Sequence, residues 1–196
     1  MNRRAVIKNL ALVMGGAILL PSCLKKTNGP SIALKHLNLN ADQETMIGDI
    51  CETFIPKTTT PGAKDLNLHL FAIKMLDDCY TKKDQKAIMA GMVEFDSIVQ
   101  KKYSKSFSEL GVKDREAVLL GIESEGKAHH QQPAGRNTKP QKGVDAKPLD
   151  AFYWAMKQQT LFGYTTSQYF MTKQIVYELV PGRYNAHFPV KNLKTA

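Results

Sequence analysis

Apolar residues in this chain recur at helical spacing and never in a sustained alternation. Met46, Ile47, Ile50, Cys51 and Phe54 fall at i, i+1, i+4, i+5 and i+8, which puts them on one face of a helix. Ile88, Met89, Met92, Phe95 and Val99 repeat the pattern, and Val118, Leu119 and Ile122 begin it again. No stretch alternates long enough to make a half-buried strand, and there are no internal repeats or useful heptads. The class predicted is therefore all-α: a single irregular bundle of about six helices joined by long loops.

Local signals set the boundaries. Asn40 with Gln43 three residues later predicts a capping box, and Pro56 stops the helix that follows. KTTTPGAKD, residues 57–65, is a loop with a Pro61-Gly62 turn signal. Further helices are predicted over 66–80 and 83–102, the latter with Lys101 and Lys102 suited to its C-terminal dipole. A short helical turn follows at 106–110, then a helix over 113–125. Residues 126–148, rich in Gly, Pro, Gln and Lys, read as a long loop. The last long helix is expected over 149–162, and Thr165 or Thr166 can cap a shorter one to about residue 173. The tail beyond it reads as extended, with a turn at Pro181-Gly182.

The first 23 residues follow a different logic. Arg3, Arg4 and Lys8 form a positive segment, and Leu10 to Leu20 an apolar run of 11 residues. Roughly 20 apolar residues are needed to cross a bilayer as a helix, so the run suits a signal peptide. Arg3-Arg4-Ala5-Val6-Ile7-Lys8 resembles a twin-arginine export signal. Leu20-Pro21-Ser22-Cys23 resembles a lipobox, with proline in place of the commonest second residue, so Cys23 is expected to be acylated. The domains expected are a signal peptide over 1–22, a tether over 23–40, a helical domain over 41–190 and a tail over 191–196. The localisation expected is that of an exported, periplasmic lipoprotein anchored to a membrane, because several acyl chains hold a protein where one does not.

Charge supports this reading. The chain carries +9, and residues 1–22 hold three of its 27 basic residues and no acid, so the remainder carries +6. A modest positive balance suits an anionic lipid surface or an acidic protein. The basic residues are scattered rather than striped, which argues against nucleic acid. Besides Cys23 there are Cys51 and Cys79. Export permits a disulfide between them, whereas their apolar helical settings suit two buried thiols, and both readings stand.

Chemistry is sparse. There is no GxGxxG, GxxxxGK[ST] or GxSxG, and no CxxC or CxxCH. His129-His130 is the only adjacent histidine pair among five, and neighbours on a helix point about 100° apart, which suits solvated side chains better than a metal site. Asp77-Asp78 and Glu123/Glu125 are candidate carboxylate pairs that diverge on a helix, so surface solvation is expected. The aromatic group Phe152, Tyr153, Trp154, Phe162, Tyr164, Tyr169 and Phe170 divides between core and a protein interface. No catalytic, cofactor-binding or metal-ligating residue is assigned.

Two stretches go further. ETFIPKTTTPGAKDLNLHLF, residues 52–71, resembles the N-terminal signature of the gluconate 2-dehydrogenase subunit 3 family through Phe54, Ile55, Pro56, Thr60, Pro61, Gly62 and Ala63. Residues 161–189 resemble its C-terminal region through Gly163, Tyr164, Thr165, Ser167, Pro181, Gly182 and Tyr184. The resemblance spans roughly residues 42–189, and a twin-arginine signal is typical of the family. It implies the small, cofactor-free subunit of a membrane-associated dehydrogenase acting on gluconate, sugars or polyols. The large subunit would hold FAD, and a cytochrome c subunit commonly carries haem c. The motif residues would then be structural and interfacial: Pro61-Gly62 setting a tight turn, and Gly163-Tyr164 breaking the last long helix. The escort reading follows from the export route. Folded proteins use the twin-arginine pathway, and a flavoprotein loaded in the cytoplasm needs it. Two rivals are a stand-alone lipoprotein acting as a binding or scaffold module, and an enzyme in its own right using the histidine pair or an acidic pair.

Overall fold

A computed structural model describes residues 29–130 and 147–175, with side chains as far as residue 126 in the first range. Arg3, Arg4, Cys23, Pro181, Gly182, Tyr184 and the 191–196 tail lie outside the described residues, as do residues 131–146 of the expected loop. The regular elements described are all helical: α1 (Ala41–Phe54), α2 (Leu68–Cys79), α3 (Lys82–Tyr103), a 3-10 turn (Phe107–Glu109), α4 (Val112–His130), α5 (Pro148–Thr165) and a π-helical turn (Phe170–Gln174). The all-α bundle expected from periodicity is what the chain forms.

Each helix starts and stops for a local reason. The Asn40 side chain accepts from the Gln43 backbone N–H at 2.8 Å and Gln43 returns the bond to the Asn40 N–H at 3.0 Å, the reciprocal box the sequence predicts. At the other end Ile55 has left the helical region, with φ −131° and ψ 82°, as the proline after it favours. Thr81 caps α3 by accepting from the Asp84 N–H, while Lys101 and Lys102 occupy its last turn. Pro148 opens α5 at its first position, where its missing N–H costs nothing.

Helix α5 is the centre of the bundle and packs against α1, α2, α3 and α4. Phe152, Tyr153, Ala155 and Met156 are its buried face. Phe95 of α3 lies between Phe152 and Phe107, with ring centroids 5.6 and 5.2 Å away. Offset and edge-on ring contacts of this kind add about 0.5–1.5 kcal/mol beyond area burial. Among the described residues no helix is long and apolar enough to cross a membrane.

Several expectations change. The segment read as a tether is in its described part a strap on the bundle. Leu39 is core, Ile32, Leu34 and Leu37 pack against the core, and Ser31 bonds Glu44. Asp77 holds the strap down. It is fully buried rather than solvated, and accepts the backbone N–H groups of Lys35, His36 and Leu37, each at 2.8 Å. Asp78 alone of that pair is exposed. Gln85 of α3 closes the same corner, donating to the Leu76 and Asp77 carbonyls left open at the end of α2.

Helix α4 runs through residues 126–130, which the sequence assigns to the loop; the side chains of His129 and His130 lie outside those described. Gly163 does not break the last helix, which continues to Thr165. The short helix expected to follow is a π-helical turn. Ser167, not Thr165 or Thr166, opens it by accepting the Phe170 N–H at 3.1 Å. Cys51 is buried as expected, but Cys79 is exposed at the end of α2, and both are free thiols.

Candidate functional site

The N-terminal signature folds around carboxylates. Glu52, on the last turn of α1, accepts the Lys57 N–H at 2.9 Å and the Lys64 N–H at 2.8 Å, so one side chain holds both ends of the loop after Pro56. Gly62 passes against that carboxylate. A Cβ there would lie 2.5 Å from Glu52 Oε1 and 2.7 Å from the Lys57 nitrogen, so glycine is required by close approach. The chain turn itself lies at 63–67, just after the Pro61-Gly62 pair expected to make it. Ala63 is fully buried and its N–H returns to the Ile55 carbonyl at 2.9 Å. Pro56 stands exposed at the outer edge. The Lys57 ammonium, and behind it the Gly62 N–H, hold the Asp65 carboxyl below its ordinary range.

Beneath the loop, buried Asp49 takes Lys64 at 2.5 Å and Arg115 at 2.9 Å. Arg115 also donates to the Phe107 and Ser108 carbonyls, tying α1, the 3-10 turn and α4 together. Sequence reasoning missed Asp49, Glu52 and Arg115. A signal existed for Asp49: it stands three residues after Met46 and beside Ile50, on the face the periodicity marks as buried.

The C-terminal signature meets the first one directly. A Cβ on Gly163 would lie 2.8 Å from the Phe71 ring and 3.4 Å from Leu68, so the missing side chain lets α5 close onto α2. Ser167 donates to the Tyr164 carbonyl, and Tyr164 packs edge-on to Phe170 at 5.5 Å. Between the two signatures runs a groove of about 560 Å³ lined by Leu66, Leu68, Phe71, Gly163, Ser167 and Tyr169. Phe162, 51% exposed, packs against Phe71 of that lining with ring centroids 6.0 Å apart, and its chain neighbour Leu161 is 46% exposed. The aromatic group thus divides: Phe152 and Tyr153 are core, and Phe162 faces solvent.

Tyr153 donates to Glu123 Oε2 at 2.6 Å, and Lys157 pairs with the same carboxylate at 2.9 Å. Burial, then the Glu123 bond, pushes the Tyr153 hydroxyl above its ordinary range. Glu123 is therefore a half-buried structural carboxylate rather than a solvated one, while Glu125 is exposed. Burial pushes the Cys51 thiol up to about 11, against the hydrogen bond from Thr160, so it stays protonated and unreactive at neutral pH. Among the described residues no three His, Cys, Asp or Glu side chains come close enough to hold a metal ion.

Comparison with known proteins places these features. No curated protein and no solved structure is significantly similar to the chain. The model of one family, gluconate 2-dehydrogenase subunit 3, matches residues 41–182. That range runs from the first residue of α1 past the π-helical turn and takes in both signatures up to Gly182, with Tyr184 just beyond. The match covers well over half of the chain, and the chain belongs to the gluconate 2-dehydrogenase subunit 3 family.

Proposed function

We propose that the chain is the non-catalytic subunit of an exported flavin-dependent dehydrogenase acting on gluconate, a sugar or a polyol. It escorts the FAD-bearing subunit through the twin-arginine pathway and then holds it at the membrane by the acylated Cys23; a cytochrome c subunit completes the electron path. One observation carries the reading. In a chain that belongs to a family of dehydrogenase subunits, the two signature stretches close on each other and flank a groove beside which half-exposed Phe162 packs on Phe71. Exposed aromatic side chains are enriched at protein interfaces, where the partner covers them. The occupant of the groove is the catalytic subunit.

Purification of the chain in gentle detergent tests this. A flavin-containing partner should come down with it, seen in the absorbance spectrum, with haem bands where a cytochrome is present. Phe162→Glu should weaken that capture about 30-fold, because loss of an interface anchor typically removes about 2 kcal/mol. The same substitution should leave the circular dichroism of the chain unchanged, since the ring is half in solvent. In cells, deleting residues 1–22 should strand the flavoprotein in the cytoplasm. Normal export of the flavoprotein in that strain ends the escort role, and a chain that is recovered alone is a stand-alone lipoprotein.

A further inference from the structure

A basic groove lies where the strap crosses the start of α3, at Asp77's end of α2. Lys82 and Lys86 stand one helical turn apart on α3, and Lys35 and His36 of the strap line the same hollow, which measures about 580 Å³. Leu37 and Met89, both partly buried, give it an apolar lining along which lysine stems can lie. Lys35 is 72% exposed and reaches Asp78 only at 3.9 Å. Lys82 and Lys86 join no ion pair among the described residues. Lysines in the first turns of a helix oppose its dipole, so the fold gains nothing from their placement.

We propose that this groove binds anionic phospholipid headgroups and lays the strap side of the domain on the bilayer. Chain length selects a membrane over an acidic protein. Only five residues separate Gly29, where the described strap begins, from Cys23, and a chain of that length, even fully extended, reaches no more than about 20 Å. The surface potential of an anionic leaflet acts within about 10 Å. An acylated Cys23 therefore holds this corner of the domain near that field. The orientation rests on the proposed acylation; the preference for anionic headgroups does not.

Flotation of the chain with vesicles tests the groove. Neutral phosphatidylcholine vesicles are compared with vesicles containing about 30% phosphatidylglycerol, at about 0.1 M salt. The quantity read is the ratio of partitioning between the two, taken on chain shown by intact mass to lack residues 1–22, so that the apolar contribution of acyl chains cancels and the charges of Arg3, Arg4 and Lys8 are absent. Each lysine near an anionic surface contributes about fivefold. The wild-type ratio should be of order 100, and K35E/K82E/K86E should bring it to about one. K101E/K102E/K105E, exposed lysines about 25 Å away toward the far end of α3, should leave the ratio within about threefold of wild type. Equal losses in the two triple variants would mean diffuse charge and overturn the proposal. A wild-type ratio near one, with K35E/K82E/K86E losing its partner in the detergent purification, would overturn it in favour of an acidic protein. Intact mass on the same preparation reports whether Cys23 is acylated, so failure of the anchor and failure of the groove are told apart.

Discussion

Gly91→Ala should destabilise the chain by about 3 kcal/mol or more, although the same change in an exposed helix interior normally stabilises by about 1 kcal/mol. The reversal of sign comes from one contact. A Cβ on Gly91 would lie 1.9 Å from the Pro148 carbonyl oxygen, 2.5 Å from its carbon and 2.8 Å from Phe152 Cβ. Two of the three are backbone atoms, and no rotamer change can move them. Helices α3 and α5 would have to separate, and α5 carries the contacts of every other α-helix. The partner experiment is Gly121→Ala on α4, where an added Cβ meets nothing within 4 Å. That variant should gain about 0.5–1 kcal/mol. Urea or thermal unfolding of the two variants beside wild type decides the matter. A Gly91→Ala chain as stable as Gly121→Ala would mean that α3 and α5 do not approach as closely as described.

Gly91 also illustrates what the sequence carried and what it did not. Helical spacing marked both ends and the buried face of α3, and Asn40 with Gln43 marked the start of α1 to the residue. These signals are local: a cap, a proline or a 3.6 period lies within a few residues of what it determines. A glycine in an unbroken helix is an unresolved signal, since it reads alike for a weak point and for a close crossing. Gly163 was open to the same error. Its propensity suggests a helix end, and only its approach to Phe71, far away in sequence, gives the actual reason. The candidate site shares this limit. Both signatures are visible as separate motifs, while their meeting is tertiary, as is the capture of Asp49 by Arg115 across 66 residues.

Asp77→Ala should cost about 3 kcal/mol and release the strap, because removing one member of a buried hydrogen-bonded set leaves its partners unsatisfied. Burial by itself would raise the Asp77 pKa. The N–H groups of Lys35, Leu37 and His36, with the charge of Lys74 3.6 Å away, outweigh it and bring the value down to about 2, against an ordinary 3.8. A carboxylate whose pKa is depressed by folding stabilises the fold above its unfolded pKa, and that contribution disappears as pH falls through the folded value. Asp77 should thus supply about 2 kcal/mol at neutral pH, nearly all of it still present at pH 5 and lost between roughly pH 4 and pH 2. Asp77→Asn keeps the shape but offers one acceptor oxygen where the strap presents three donors. It should lose about 2 kcal/mol at pH 7 and show a correspondingly smaller drop on going to pH 2. Urea unfolding of both proteins at pH 7, 4 and 2.5 measures the difference, and hydrogen exchange at Lys35, His36 and Leu37 locates it. An Asn variant with the wild-type acid profile, or with equally protected strap amides, would show that the carboxylate does not hold the strap. The consequence reaches function, because the strap is what separates a short link to Cys23 from a long one. On the proposed anchoring at Cys23, release of residues 29–39 would lengthen the stretch between Cys23 and the bundle from five residues to sixteen, and its greatest possible reach from about 20 Å to about 60 Å. The basic groove would lose Lys35 and move beyond reach of the surface potential. Asp77→Asn should therefore reduce the preference for anionic vesicles without altering any lysine.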